Sequence, residues 1–353
     1  MANVEDYGKL YTADILVVGG GMAGLVTAIR AKENDPSLDI LVIDKGIIGW
    51  NGQATKAGNG IRATSKSPNS VQNALAYLVN AHTPFMNDQE FLRDYLVVHR
   101  DNIDYMRHCG VQTSCDEEGN SQPIPFIPDA LDMGGVSINV CEQLREFALK
   151  LGIRLLSRVN VFELLTSDSG KVIGAIGFDI DHMECTIFHA KAVAMATQGC
   201  HFKKIGLEFM GYGTGVGAMY RAGAIMRNVE FSTQVDVVFK KTNTPIYGGF
   251  NMICNKHGEN LTQKYIGHLE WEVTPALVDA MVKEVAMGNG PLWVDLEKPD
   301  EVREMIGGTD MDESTQRMLR DKLAWEELVF KKTAMNLGEI GTKPETTIKT
   351  VLQ

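Results

Sequence analysis

Residues 13–44 constrain this chain more than any other stretch. Ile15-Leu16-Val17-Val18 is a short, wholly apolar run, the pattern of a parallel strand covered on both faces. It passes directly into Gly19-Gly20-Gly21-Met22-Ala23-Gly24. A helix is predicted from Ala23 to about Glu33, with Leu25, Ala28, Ile29 and Lys32 at helical spacing. Asn34-Asp35-Pro36-Ser37 stops it, and Ile40-Leu41-Val42-Ile43 makes the next strand, with Asp44 at its carboxyl end. A glycine turn between strand and helix, with an acid 20 residues beyond Gly24, is the full dinucleotide-binding fingerprint rather than a bare G-x-G-x-x-G. Gly19 permits the tight turn, Gly21 lets the backbone approach a pyrophosphate, and Gly24 lets the helix lie close on the strand. The exposed amides and the positive helix end then hold phosphates. Asp44 is placed to accept hydrogen bonds from ribose hydroxyls, and its charge disfavours a 2′-phosphate.

The fingerprint serves NAD and FAD alike, so the choice rests on the residues beyond Asp44. An NAD domain would proceed to another helix and strand. Here the chain continues Lys45-Gly46-Ile47-Ile48-Gly49-Trp50-Asn51-Gly52-Gln53-Ala54-Thr55-Lys56-Ala57-Gly58-Asn59-Gly60-Ile61-Arg62. A long glycine-rich loop of this kind suits an extended ligand lying along backbone and counts against an NAD-dependent dehydrogenase. Further on, Ala192-Val193-Ala194-Met195-Ala196-Thr197-Gln198-Gly199 reads as an apolar strand ending in Thr-x-Gly, a second place for backbone to pass a cofactor.

Composition narrows the function classes. Acidic residues outnumber basic ones 45 to 34, for a net charge of −11, so no basic face for nucleic acid is expected. No apolar run approaches the ~18 residues that span a bilayer, and the acidic start MANVEDYGKLY carries no apolar export core. The expectation is a cytoplasmic protein without a transmembrane segment. Cysteines 109, 115, 141, 185, 200 and 254 show no C-x-x-C spacing, so no metal or iron–sulfur ligand set is expected in this chain.

Several later motifs, taken in order, carry a family resemblance. After VVGGGMAG and VIDKG come Tyr105-Met106-Arg107-His108-Cys109-Gly110-Val111 at a helix end and Asp116-Glu117-Glu118-Gly119. Then come Val172-Ile173-Gly174-Ala175-Ile176-Gly177-Phe178, the ATQG strand, and Gly215-Val216-Gly217-Ala218-Met219-Tyr220-Arg221-Ala222-Gly223-Ala224 leading to Glu230-Phe231. Gly288-Asn289-Gly290-Pro291-Leu292-Trp293-Val294-Asp295 and Ala324-Trp325-Glu326-Glu327-Leu328 complete the set. The chain resembles the flavoprotein subunits of the fumarate reductase/succinate dehydrogenase superfamily and is most similar to its adenylylsulfate reductase alpha-subunit branch.

The resemblance implies an α/β fold: a Rossmann-like FAD-binding domain with a parallel sheet and an inserted α+β capping domain, here incomplete. Residues 1–230 would form the FAD-binding domain, with a helical insertion at about 70–110, and residues 231–353 the start of the capping and substrate domain. FAD would be bound non-covalently and extended. Gly19, Gly21, Met22, Ala23 and Gly24 would line the pyrophosphate, and Asp44 and Lys45 the adenosine ribose. Asn51, Gly52, Gln53 and Ala54 would run along the ribityl chain. Val161 would present its backbone to adenine, with Ala196, Thr197 and Gly199 passing nearby. Two electrons would pass between a small anionic substrate and an iron–sulfur or other electron-carrier subunit.

Three departures from the family pattern qualify that activity. Gly52 stands where many relatives tether flavin through histidine. Thr274-Pro275-Ala276-Leu277-Val278-Asp279-Ala280-Met281 contains neither arginine of the family's proton-donor helix, and Glu230-Phe231-Ser232-Thr233-Gln234-Val235 lacks the histidine expected after the Glu-Phe strand. The sequence also reads as C-terminally short for the family. The rival reading is therefore a non-catalytic FAD-binding module, or half of a split enzyme completed by another chain. Arg62 is the leading remaining cation for an anionic substrate. His201, with Lys203 and Lys204 just after it, is a second catalytic candidate. Trp271, between Glu270 and Glu272, reads as a packed rim residue, and His257 and His268 as surface residues. Ala276–Met287 is predicted as a helix with Leu277, Met281 and Val285 on one face, and 312–337 as a charged surface helix.

Overall fold

The first strand, β1 (Lys9–Val18), ends on Leu16, Val17 and Val18, all buried. Alternation along a strand sends Leu16 and Val18 to one face and Val17 to the other. Both faces are covered in the computed structural model, which describes residues 7–55, 60–82, 85–119, 123–199, 212–227, 235–239, 250–267, 270, 274–294 and 347–352. That double cover is why the run is apolar throughout.

The remaining elements of the first sheet obey the same logic. Helix α1 (Met22–Asn34) leads to β2 (Ile40–Asp44), every residue of which is buried. Asp35 ends the helix as expected, its carboxylate accepting hydrogen bonds from the Ser37 amide and hydroxyl. The other strands are β6 (Arg154–Ser157), β7 (Val159–Thr166), β8 (Val172–Asp179) and β9 (Glu184–Met195). Their order is β6-β2-β1-β9-β8-β7. The first four run parallel, and β8 and β7 return antiparallel from β9. Ile15 to Val18 lie opposite Ile40 to Ile43 and, on the other side, Ala192 to Met195.

Two apolar layers sandwich this sheet. Val17, Ile40 and Val42 pack with Leu25, Ala28 and Ile29 of α1 and with Leu144 and Ala148 of α5 (Val140–Lys150). Leu16, Val18, Leu41 and Ile43 pack with Val159, Val161, Phe188 and Ala218, the last on α6 (Thr214–Arg221). Each fully buried Leu, Ile or Phe here contributes ~1.5–3 kcal/mol from apolar burial. The result is the expected mixed α/β fold with a parallel-containing sheet.

Two compact units divide the chain. One comprises Met1–Arg62, Asp101–Pro123 and Gly134–Thr233, and contains the six-stranded sheet together with α4 (Asn102–His108). The other comprises Ala63–Arg100, Ile124–Met133 and Gln234–Gln353. Residues 63–100 thus cluster with the second unit, whereas the linear order of the chain suggests 70–110 as an insertion within the first.

The second unit holds the end of β3 (Gly60–Thr64), all of β4 (Ile124–Ile127) and the start of β5 (Leu131–Gly135), strands whose order is β3-β5-β4. Beside them, α2 (Ser70–Tyr77) and α3 (Gln89–Val98) enclose Ala74, Leu96, Ile127 and Leu131. An antiparallel sheet of order β10-β13-β12-β11 is built from β10 (Val235–Phe239), β11 (Ile253–Cys254), β12 (Leu292–Val294) and β13 (Thr347–Leu352). Helix α7 (Pro275–Ala286) starts at Thr274, whose hydroxyl accepts from the Leu277 amide. It buries Leu277, Ala280, Met281 and Glu284. Val285, expected on that face, is 56% exposed; the buried stripe passes through Glu284 instead. The 312–337 stretch lies outside the described residues.

Candidate functional site

The glycine turn closes where β1, β2 and β9 end together. The Gly19 amide donates to Ile43 O at 2.8 Å and the Ala196 amide to Val18 O at 2.8 Å. Gly19 has φ +114°, a conformation that L side chains rarely adopt. A Cβ added there would lie 2.4 Å from Ala196 O, and one added to Gly24 would lie 1.7 Å from Gly19 O. Those two glycines are demanded by the protein's own packing. Gly21 differs: the nearest atom to its would-be Cβ is Gly52 Cα at 3.9 Å. Gly52, with φ +101°, faces back across the same gap. Two bare backbones therefore pass close to one another in front of α1.

The start of α1 suits an anionic ligand. α1 begins at Met22 with no side-chain cap and no acidic residue in its first turn, so the donors of Met22, Ala23 and Gly24 sit at the positive end of the helix. Beyond β9, Thr197 Oγ1 is buried and has no hydrogen-bond partner among the described residues, pressed against Gly215 at the start of α6, where a Cβ would meet it at 2.1 Å. A ligand hydroxyl or phosphate oxygen would satisfy it. Gln198 Nε2 donates to Gln53 Oε1 at 3.3 Å, drawing the 51–55 turn toward the Thr-x-Gly segment. The uncapped helix start and the bare glycine turn fit the pyrophosphate of a dinucleotide.

Asp44, only 8% exposed, is held by three donors. The Gly20 amide meets Oδ2 at 2.6 Å, while the Gly46 amide at 2.7 Å and Asn51 Nδ2 at 2.6 Å meet Oδ1. Asn51 thus points at Asp44, whereas the family resemblance implies a place along the ribityl chain. Gly20 and Gly46 belong to the site too, although only their place beside expected residues signals it. Lys45 is exposed and lies 5.3 Å above the Tyr212 ring; nothing in sequence spacing links those two. Ala54 and Ala196 pack on the α1 side of the sheet. Val161 packs on the opposite side, next to a register shift between Val161 and Glu163 that interrupts the β7–β8 ladder.

The catalytic candidates are less concentrated. Arg62 is exposed on β3. His201, Lys203, Lys204, Trp271, Glu272 and His268 lie outside the described residues. On α7, Asp279 pairs with Lys283 at 2.5 Å, both side chains exposed. His257 is exposed, as expected. Among the described residues no helix is long and apolar enough to cross a membrane, and no cluster of three His, Cys, Asp or Glu that could hold a metal is found.

Known proteins are similar to this chain. Residues 14–297 match a family described as FAD binding domain. The chain is 25% identical over 281 residues to the 8-methylmenaquinol:fumarate reductase flavoprotein subunit of Wolinella succinogenes, covering 73% of this chain and 44% of that one. Solved structures with the same fold include E. coli quinol fumarate reductase, with TM-score 0.75, 19% identity, and coverage of 98% of this chain and 60% of that chain. Adenylylsulfate reductase from Archaeoglobus fulgidus matches with TM-score 0.71, 19% identity, and coverage of 94% and 56%. The chain spans about half the length of the curated relatives it matches.

Proposed function

The chain belongs to the FAD binding domain family, and from that premise we propose that it is the flavoprotein part of a two-electron oxidoreductase of the fumarate reductase/adenylylsulfate reductase type. The observation that carries this reading is the uncapped, acid-free start of α1 behind a glycine turn whose backbone bears no side chain at Gly21. Gly19, Gly21, Met22, Ala23 and Gly24 bind the pyrophosphate, Asp44 and Lys45 the adenosine ribose, and Val161 offers adenine its backbone at the ladder interruption. Gly52, Gln53 and Ala54 flank the ribityl chain, with Ala196, Thr197 and Gly199 alongside, and Asn51 supports that path from the Asp44 side. Bound FAD supplies hydride or electron-pair chemistry. Gly52 offers no nucleophile, so FAD is held without a covalent link.

Residues 1–230 act as the FAD-binding domain and 231–353 as the start of a capping domain. A small anionic substrate is oriented by Arg62, since a fixed cation stabilises charge developing on a carboxylate or sulfate. Electrons go to or come from a separate iron–sulfur or other carrier subunit. A cytoplasmic setting agrees with the absence of disulfides among the described cysteines. The test is steady-state reduction of fumarate and of adenylylsulfate by the FAD-loaded chain with an artificial electron donor. Arg62→Ala should raise KM for the anion about tenfold or more while leaving FAD binding unchanged; an unchanged KM removes Arg62 from the site.

A second reading is favoured by one observation. α7 presents Asp279 and Lys283 as an exposed pair, and its start carries no arginine. A non-catalytic or split-enzyme FAD module would bind the cofactor yet turn over neither substrate until a completing chain is added.

A further inference from the structure

We propose that Asn51, acting through Asp44, is the positioning residue of the cofactor site: its amide completes a three-donor clasp on the Asp44 carboxylate and thereby sets Gly52 opposite Gly21. This inference rests on the proposed FAD binding. One carboxylate gathers three separate points of the chain: the glycine turn through Gly20, the start of the next loop through Gly46, and the end of that loop through Asn51. The loop between is closed by its own bonds. The amides of Trp50 and Asn51 both donate to Ile47 O, at 3.0 and 2.8 Å. The Ile48 amide donates to Ser157 Oγ at 3.1 Å, and the Arg158 amide to Gly46 O at 3.0 Å, tying the loop to the end of β6.

The Asn51 side chain fills the space that a side chain at position 46 would take: a Cβ on Gly46 would lie 2.5 Å from Asn51 Cγ. The next residue is Gly52, whose own Cβ would stand 3.2 Å from Gly21 Cα. Fixing the Asn51 amide on Asp44 therefore fixes where the adjoining backbone passes the glycine turn. It also limits the ribose contact. A carboxylate accepts at about four lone-pair positions, and three are taken by protein donors, which leaves one for a ribose hydroxyl. Asp44 is first the organiser of the loop and only then a ribose acceptor.

The decisive experiment titrates free FAD into the full chain, wild type, Asn51→Ala and Asn51→Asp. Loss of a hydrogen bond to a charged group predicts FAD binding about tenfold to a hundredfold weaker in N51A. N51D sets an acceptor against the Asp44 carboxylate in place of the donor, so it should bind more weakly than N51A. A role limited to filling space predicts the opposite order, because Asp matches Asn in shape. The proposal is overturned if N51A binds like wild type, or if N51D binds as tightly as N51A or more tightly. Wild type that binds no FAD would instead overturn the cofactor reading on which the proposal stands.

Discussion

Gly21 and Gly24 lie three residues apart and are glycines for opposite reasons. A methyl group on Gly24 would sit 1.7 Å from Gly19 O, inside the protein's own backbone, whereas one on Gly21 would make only an ordinary van der Waals contact, 3.9 Å from Gly52 Cα. Gly24→Ala should therefore destabilise the first unit by several kcal/mol, ~2–4 by analogy with overpacked cores, and lower Tm whether or not cofactor is present. Gly21→Val should leave Tm of the cofactor-free protein unchanged and abolish FAD binding, read by calorimetry and by flavin fluorescence. Undiminished FAD affinity in G21V would remove the pyrophosphate from this turn. Both glycines are legible in the sequence, because strand, turn and helix fix their roles by spacing. Asn51 is legible only as a member of the loop. Its target depends on a closed turn 47–51 and on the neighbouring β6, contacts that no local pattern records.

Among elements, α7 begins and ends within one residue of its sequence-based bounds, since Thr274-Pro275 is a cap with proline at the first turn. Its buried face departs from expectation because that face accommodates a charge. Glu284 is fully buried. It accepts from Tyr265 Oη at 2.5 Å and Asn255 Nδ2 at 2.8 Å and pairs with Lys264 Nζ at 2.9 Å. Burial pulls its carboxyl upward, and the hydrogen bonds from Tyr265, Lys264, Asn255 and Asn289 outweigh burial and hold it at about 2, against an ordinary 4.5. Because the folded value lies below the unfolded one, its stabilisation is fully present above pH ~4.5 and is lost as pH falls toward about 2. Glu284→Ala should cost ~1–3 kcal/mol at neutral pH by removing the acceptor of Tyr265 Oη and leaving Lys264 and Asn255 to Glu259 alone. Acid titration of unfolding free energy should show the wild-type advantage over E284A shrinking below pH ~4.5. A difference that does not change with pH would contradict this account of the charge.

At the scale of the whole molecule, the first unit is the more legible one. Its sheet is built from apolar runs whose period and length declare parallel strands, and its glycine turn lies where three of them end. The second unit draws Ala63–Arg100 and Ile124–Met133 together with residues far along the chain. Such long-range pairing has no short-range signature. We propose that this chain holds FAD, unlinked, at the glycine turn before α1. The measurement that bears on it most directly is the visible absorption spectrum of the purified chain after incubation with FAD and desalting, and then after acid precipitation. Flavin bands that survive desalting and pass wholly into the acid supernatant are predicted. A protein that emerges colourless from desalting, or flavin that stays with the pellet, would contradict it.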